Sequence, residues 1–141
     1  MSRTTGETDL ARLLTSMQPV LNPGEYVFCT VASAGSVPPG LVLGSFREAE
    51  GLTLIMLRED ADEYGLPYGA LMAWLTLTVH SSLAAVGLTA AVAAALAREN
   101  ISCNVLAAYY HDHLFVGHVD ATRALSTLRL LAASASADAT D

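Results

Sequence analysis

The chain contains no lysine: all seven of its basic residues are arginine, set against fourteen carboxylates for a formal net charge of -7. That absence removes the P-loop lysine, the Schiff-base lysine that holds pyridoxal phosphate and the ATP-pairing lysine of protein kinases. There is no basic stripe to neutralise phosphates, so neither nucleic acid nor an anionic membrane surface is an expected partner. Cysteine is scarce too. Cys29 and Cys103 each sit in an apolar, strand-like run. They read as small buried hydrophobes, and two cysteines give no disulfide framework. Met1 to Asp9 is polar, without the apolar core of a secretory signal. The longest run free of Asp, Glu, Lys and Arg is Gly65 to Ala97, interrupted by Pro67, several threonines and His80-Ser81-Ser82. The apolar piece that remains, Leu83 to Ala97, falls short of the roughly 20 residues a membrane-spanning helix needs. The expectation is a soluble cytoplasmic protein.

What is present is apolar and small. Hydrophobic residues make up 52% of 141 residues, enough for one domain or two small fused subdomains with a buried core. A mean hydropathy of +0.42 hints at apolar surface used between copies, as in a homodimer or larger homo-oligomer. Residues 1–8 and 133–141 are polar or small and aperiodic and read as disordered ends. Between them, Asp9 is placed to cap a helix with Leu10, Leu13, Leu14 and Met17 at helical spacing, stopped by Pro19 and Pro23. Glu25 to Val31 is rich in β-formers, and Ala34 to Gly40 is a loop. Leu41 to Glu48 and Leu52 to Leu57 form a hairpin around Ala49-Glu50-Gly51. Arg58 to Tyr64 is a short acidic helix. Gly65, Pro67 and Gly69 then mark a linker, so residues 9–69 form a first unit and 70–132 a second.

The second unit carries the clearer pattern. Trp74, Thr76, Thr78 and His80 alternate with Leu75, Leu77 and Val79, as in a strand with two unlike faces. Leu88, Val92, Ala95 and Leu96 give a helical stripe, and Asn100 suits its C-terminal end. Ile101 to Tyr110 and Leu114 to Val119 read as strands around a His111-Asp112-His113 turn. Asp120 is placed to cap a last helix with Leu125, Leu128 and Leu131 inside, Arg123 outside and Arg129 at the margin. The order β-α-β-β-α implies a ferredoxin-like α+β fold, an antiparallel-rich sheet with helices on one face. No strand follows Leu131, so a fourth strand has to come from the first half, with Glu25 to Val31 the candidate. Two interlocked subdomains are therefore expected.

Val79-His80, Val86-Gly87-Leu88-Thr89 and Leu96-Ala97-x-x-x-Ile101-Ser102-x-Asn104-Val105 resemble the ACT domain, a small regulatory module that binds amino acids. Ile101 to Val116 is similar to short stand-alone proteins made of two ACT-like units, and on that view the resemblance covers about residues 9–131. It implies a ligand, most simply an amino acid, near the turn after the first strand of a unit. Carried onto this chain, that turn is His80 to Leu88, with Val86 where many members have proline.

The chemistry of such a site is simple. Free N–H groups at a helix start favour a carboxylate, and a glycine admits a ligand close to the backbone. His80, Ser81, Ser82, Val86, Gly87, Leu88 and Asn104 are the candidate binding residues; no catalytic residue and no cofactor is expected. Two alternatives stand beside this. One is a small enzyme or metal-binding protein using the His111–His118 cluster, whose His111, Asp112, His113 and His118 have metal-ligand types but no finger-like spacing. The other is an oligomerisation module without ligand. The acidic run Glu59, Asp60, Asp62 and Glu63 lacks a calcium-loop pattern, and Ser81-Ser82 lacks the context of a serine nucleophile.

Overall fold

The computed structural model describes the backbone of residues 3–78 and 85–140. The chain runs α1 (Arg3–Ser16), β1 (Pro19–Val31), β2 (Val42–Glu48), β3 (Gly51–Leu57), α2 (Arg58–Glu63), β4 (Met72–Leu77), α3 (Ala85–Arg98), β5 (Cys103–Ala107), β6 (Asp112–Gly117) and α4 (Ala121–Thr140). Short 3₁₀ turns occupy Ala34–Ser36, Pro39–Leu41 and His118–Asp120. Two compact units result, Met1–Asn22 with Trp74–Asp141, and Pro23–Ala73. Both β1 and β4 run from one unit into the other, so the former unit is assembled from both ends of the chain and the latter is one continuous stretch between them.

In the discontinuous unit the strand order is β1-β4-β6-β5, with the first residues of β1 alongside β4. The pair β4 and β5 is connected by helix α3, with β6 between them. This is the ferredoxin-like α+β order, and its fourth strand does come from the first half of the chain. The residues that supply it are Pro19–Asn22, upstream of the expected Glu25–Val31. Thr78 N–H donates to the Gln18 carbonyl (3.4 Å) and the Asn22 amide donates to the Trp74 carbonyl (3.3 Å). Helix α1 does stop at Ser16, just ahead of Pro19, but the two prolines then lie within β1 instead of delaying the strand. They break helices, yet proline is tolerated at the start of a strand or at an irregularity in it. Gly24, at φ +110°, supplies that irregularity: an added Cβ there would fall 2.9 Å from Leu57 Cδ2.

Alternation along the strands sets the core. Ala73, Leu75 and Leu77 on β4 and Leu114 and Val116 on β6 are at most 1% exposed. Leu88, Val92, Ala95 and Leu96 of α3 are buried too, as the helical stripe requires, as are Leu14 of α1 and Met17 just after it. On α4 the buried stripe is Ala121, Ala124, Leu128 and Ala135; Leu125 and Leu131 are only half-buried. Small side chains carry this face because alanine lets neighbouring helix backbones come close. Helix α3 ends in a left-handed cap at Asn100 (φ 59°), where Ile101 N–H returns to the Leu96 carbonyl at 2.9 Å. Arg123 then ties α4 to this end, donating to the Glu99 carbonyl and to the Asp120 carboxylate (2.8 Å). The side chain expected to point away is thus a clasp.

Both terminal helices are longer than the pattern suggests. Helix α1 starts at Arg3 and α4 runs to Thr140, through stretches expected to be disordered. The alanines of ASASADAT explain the second case, since alanine is the strongest helix former and Ala135 is buried.

The continuous unit orders its strands β2-β3-β1, antiparallel throughout, with Tyr26 opposite Leu57 and Glu48 opposite Gly51. Its core is Val27, Cys29, Val31, Leu54 and Met56, closed by Val37 and Ala61. Leu41, Leu66, Tyr68 and Leu71 complete the cover. No α-helix lies between β1 and β2; the two 3₁₀ turns take that place.

Candidate ligand site and the open face of the sheet

The expected ligand turn begins where β4 ends. His80, Ser81 and Ser82 lie outside the described residues, while Val86, Gly87 and Leu88 fall in the first turn of α3. Leu88 is 2% exposed and belongs to the core. Gly87 faces α1: a Cβ built on it would stand 3.5 Å from both terminal carbons of Leu10, an ordinary contact distance. The packing of α1 on the start of α3 therefore leaves room for a methyl group at this position. Asn104 is exposed on β5, directly opposite Phe115 of β6. Phe115 stacks on Trp74, so Asn104 stands on the sheet face turned away from the helices. Strand alternation therefore separates Asn104 from Leu88, which lies on the helix side.

The same open face holds a connected polar cluster that the sequence pattern leaves unassembled. Trp74 Nε1–H donates to His113 Nδ1 at 3.0 Å, and the rings lie 5.7 Å apart. Thr76 Oγ1 is 3.2 Å from the same nitrogen. Asn22 Nδ2 donates to Thr76 Oγ1 at 2.9 Å. Three strands contribute: Asn22 from β1, Trp74 and Thr76 from β4, His113 from β6. The turn expected at His111-Asp112-His113 is one step earlier, because β6 already begins at Asp112 and Ala108 N–H closes onto the His111 carbonyl. That places His113 in a strand, on the face of Trp74. The signal was the alternation itself: Trp74-Thr76 and His113-Phe115 are each two apart, hence on one face.

Electrostatics follows from burial. Desolvation pushes His113 below the ordinary histidine value, helped by the neighbouring charge of His111 and opposed by Asp112. Burial also raises the thiols of Cys29 and Cys103, which makes them poor nucleophiles. The Tyr68 hydroxyl donates to Asp62 at 2.8 Å, and that bond raises the phenol. His113 and His118 are five positions apart along and just beyond β6, on the order of 16 Å in extended chain. Among the described residues no three His, Cys, Asp or Glu side chains converge as a metal site. No helix among the described residues is long and apolar enough to cross a membrane.

Residues 5–73 match one ACT-domain family and residues 72–129 match another. No curated protein matches the chain. Among solved structures, a Vibrio cholerae protein of unknown function, described as a possible transport protein, is 50% identical. The match spans 90% of this chain and 98% of that one, with a TM-score of 0.81. A protein from Agrobacterium tumefaciens, 16% identical, gives a TM-score of 0.63 over 82% of this chain and 89% of that one. The regulatory subunit of aspartate kinase from Thermus thermophilus shares the fold at 10% identity, with a TM-score of 0.59 over 80% of this chain and 95% of that one. Two family matches that between them run from residue 5 to residue 129, on a ferredoxin-like sheet with helices, give the assignment: the chain belongs to the ACT-domain family, whose members are regulatory ligand-binding modules, and it carries two such domains in tandem.

Proposed function

We propose that this tandem ACT protein is a non-catalytic regulator that binds an amino acid at the passage from β4 to α3. The observation that carries the reading is the ACT match over residues 72–129, in which β4 leads into the start of a 14-residue helix. A helix of that length offers N–H groups and a dipole to a carboxylate, and His80, Ser81 and Ser82 offer neutral or cationic hydrogen bonds beside it. Leu88 anchors the helix in the core and Asn104 stands on the other face, so neither is part of this proposal. The ligand acts by population shift, binding one arrangement of copies better than another. β5 is the terminal strand of its unit, with Asn104 and Leu106 exposed, and offers an edge for association into a homodimer or larger assembly.

A thermal-shift screen against the standard amino acids at millimolar concentration tests the reading. A ligand present at about 100 times its Kd stabilises the folded state by about 2.7 kcal/mol, a readable rise in melting temperature. Silence across the whole set sinks the proposal. Calorimetry on the Ser81→Ala and Ser82→Ala double variant then checks the location: any amino acid that binds the unaltered protein should lose at least about tenfold in affinity, the worth of a lost hydrogen bond.

A further inference from the structure

Tryptophan indole N–H only donates hydrogen bonds. Its contact with His113 Nδ1 at 3.0 Å therefore requires that nitrogen to be an acceptor, which makes His113 a neutral imidazole with its proton on Nε2. The rest of the cluster follows that polarity. Asn22 donates to Thr76 Oγ1, and that oxygen lies 3.2 Å from the same Nδ1. With the nitrogen an acceptor, the Thr76 hydroxyl can only donate toward it, sharing its lone pair with the indole. Protonating the ring turns Nδ1 into a donor. The Thr76 hydroxyl can reverse, because its oxygen has a second lone pair; the indole cannot.

We propose that Asn22, Trp74, Thr76 and His113 form a proton-operated latch on the open face of the sheet, closed by neutral His113 and opened when the imidazolium releases the indole of Trp74. The latch spans β1, β4 and β6, which are consecutive neighbours in the sheet, so its opening loosens the face from three strands at once. Among the described residues, three strands present groups to the ring. β4 presents Trp74 and Thr76, β1 presents Asn22 and β5 presents Leu106 opposite His113, none of them charged. The charged groups acting on His113 are His111, which disfavours the imidazolium, and Asp112, which favours it. Burial and His111 win, so the folded ring titrates below its ordinary value of 6.5. The sign is then set. The folded state resists the proton that the unfolded chain accepts, so the latch contributes its full stability above 6.5 and loses it as the pH falls through the folded-state value. The device is independent of any amino-acid ligand.

Trp74 is the sole tryptophan of the chain, so its emission reports the latch directly. The full-length protein is titrated from about pH 8 to about pH 5, the range over which histidine changes charge. The expected result is one single-proton change in emission with a midpoint below 6.5, while far-ultraviolet circular dichroism stays constant. In His113→Gln the amide oxygen accepts from the indole at every pH, and the change disappears. In His111→Gln it survives with its midpoint moved up. In parallel, the protection of the indole N–H against exchange, followed by NMR on the unaltered protein and referred to free indole at the same pH, falls about tenfold across the same midpoint, the worth of one hydrogen bond. Emission that does not respond, a response that persists in His113→Gln, or a change that coincides with loss of secondary structure overturns the proposal. If His113→Gln fails to fold, unchanged indole protection across the titration of the unaltered protein does so by itself.

Discussion

The two units answer one problem in different ways. Each has a sheet face to cover. The discontinuous unit covers it with helices: α1 and α3 of 14 residues and α4 of 20. The continuous unit has only the six-residue α2, and the segment from β1 to β2 crosses in two 3₁₀ turns. Its sequence explains why. Ala32 to Leu41 reads ASAGSVPPGL, with Gly35, Pro38, Pro39 and Gly40 inside ten positions, and no helix propagates through that composition. Cover is supplied instead by single side chains, chiefly Val37, with Leu41, Leu66, Tyr68 and Leu71. An apolar sheet face requires burial, not a helix as such, and hydrophobic burial has no preferred direction.

The largest effect should come from cutting the chain at the linker. Residues 70–141 keep α3 and α4 but lose α1 and the Pro19–Asn22 stretch of β1, which belong to the same compact unit. We expect no cooperative unfolding transition from that fragment in urea. A soluble fragment with a sigmoidal transition would mean that the units are not interlocked.

Core truncations then compare helical cover with loop cover. Leu96→Ala removes a side chain with no exposed surface from α3 and should cost about 2–5 kcal/mol. Val37→Ala removes two buried carbons from a loop position that is 4% exposed and should cost about 1–2 kcal/mol by area alone. Denaturant midpoints read both. If Val37→Ala is neutral, the loop is decoration and the continuous unit is held by its strands.

Two glycines give the finest contrast, because they should respond with opposite sign. At Gly51 a Cβ would fall 2.9 Å from Thr30 Oγ1 and 3.2 Å from the Val31 carbonyl, so Gly51→Ala should destabilise by about 1–3 kcal/mol. At Gly87 the added methyl meets Leu10 at ordinary contact distance inside a helix, so Gly87→Ala should stabilise by about 0.5–1 kcal/mol. Melting temperatures decide. A Gly87→Ala variant that is more stable yet binds the same amino acid as before would assign this glycine to helix packing alone.

Much of the second unit was legible from its periods. The two-residue alternation of Trp74 to Leu77 and the stripe Leu88, Val92, Ala95 and Leu96 are local properties, and the structure buries Leu75, Leu77 and the whole stripe. Asn100 was readable as a helix end for the same reason, since a left-handed residue after a helix favours asparagine or glycine. The start of β1 was not. Pro19 and Pro23 signal interruption locally, and only the pairing of Pro19–Asn22 with β4 makes that stretch a strand. The inner stripe of α4 was read around Leu125, Leu128 and Leu131; Leu128 is buried, but the other buried positions are Ala121, Ala124 and Ala135. A pattern of alanines carries little hydrophobic signal until a neighbouring helix is placed against it.

The candidate site divides along the same line. Gly87 and the serines could be named from sequence because a strand-to-helix passage is a local event. The cluster of Asn22, Trp74, Thr76 and His113 could not, since the spacing from Asn22 to Trp74 is 52 residues and from Trp74 to His113 is 39. The sequence by itself determined the absences, through its lack of lysine and of a basic stripe, and it determined which faces of each strand and helix would be apolar. Tertiary structure alone decided that Pro19–Asn22 and not Glu25–Val31 completes the sheet of the second half, that Arg123 clasps the end of α3, and that a histidine expected in a turn becomes the acceptor of a tryptophan. Propensity and periodicity act over a few residues along the chain; hydrogen bonds between strands act across whatever chain the fold brings to 3 Å, and no local pattern encodes that partner.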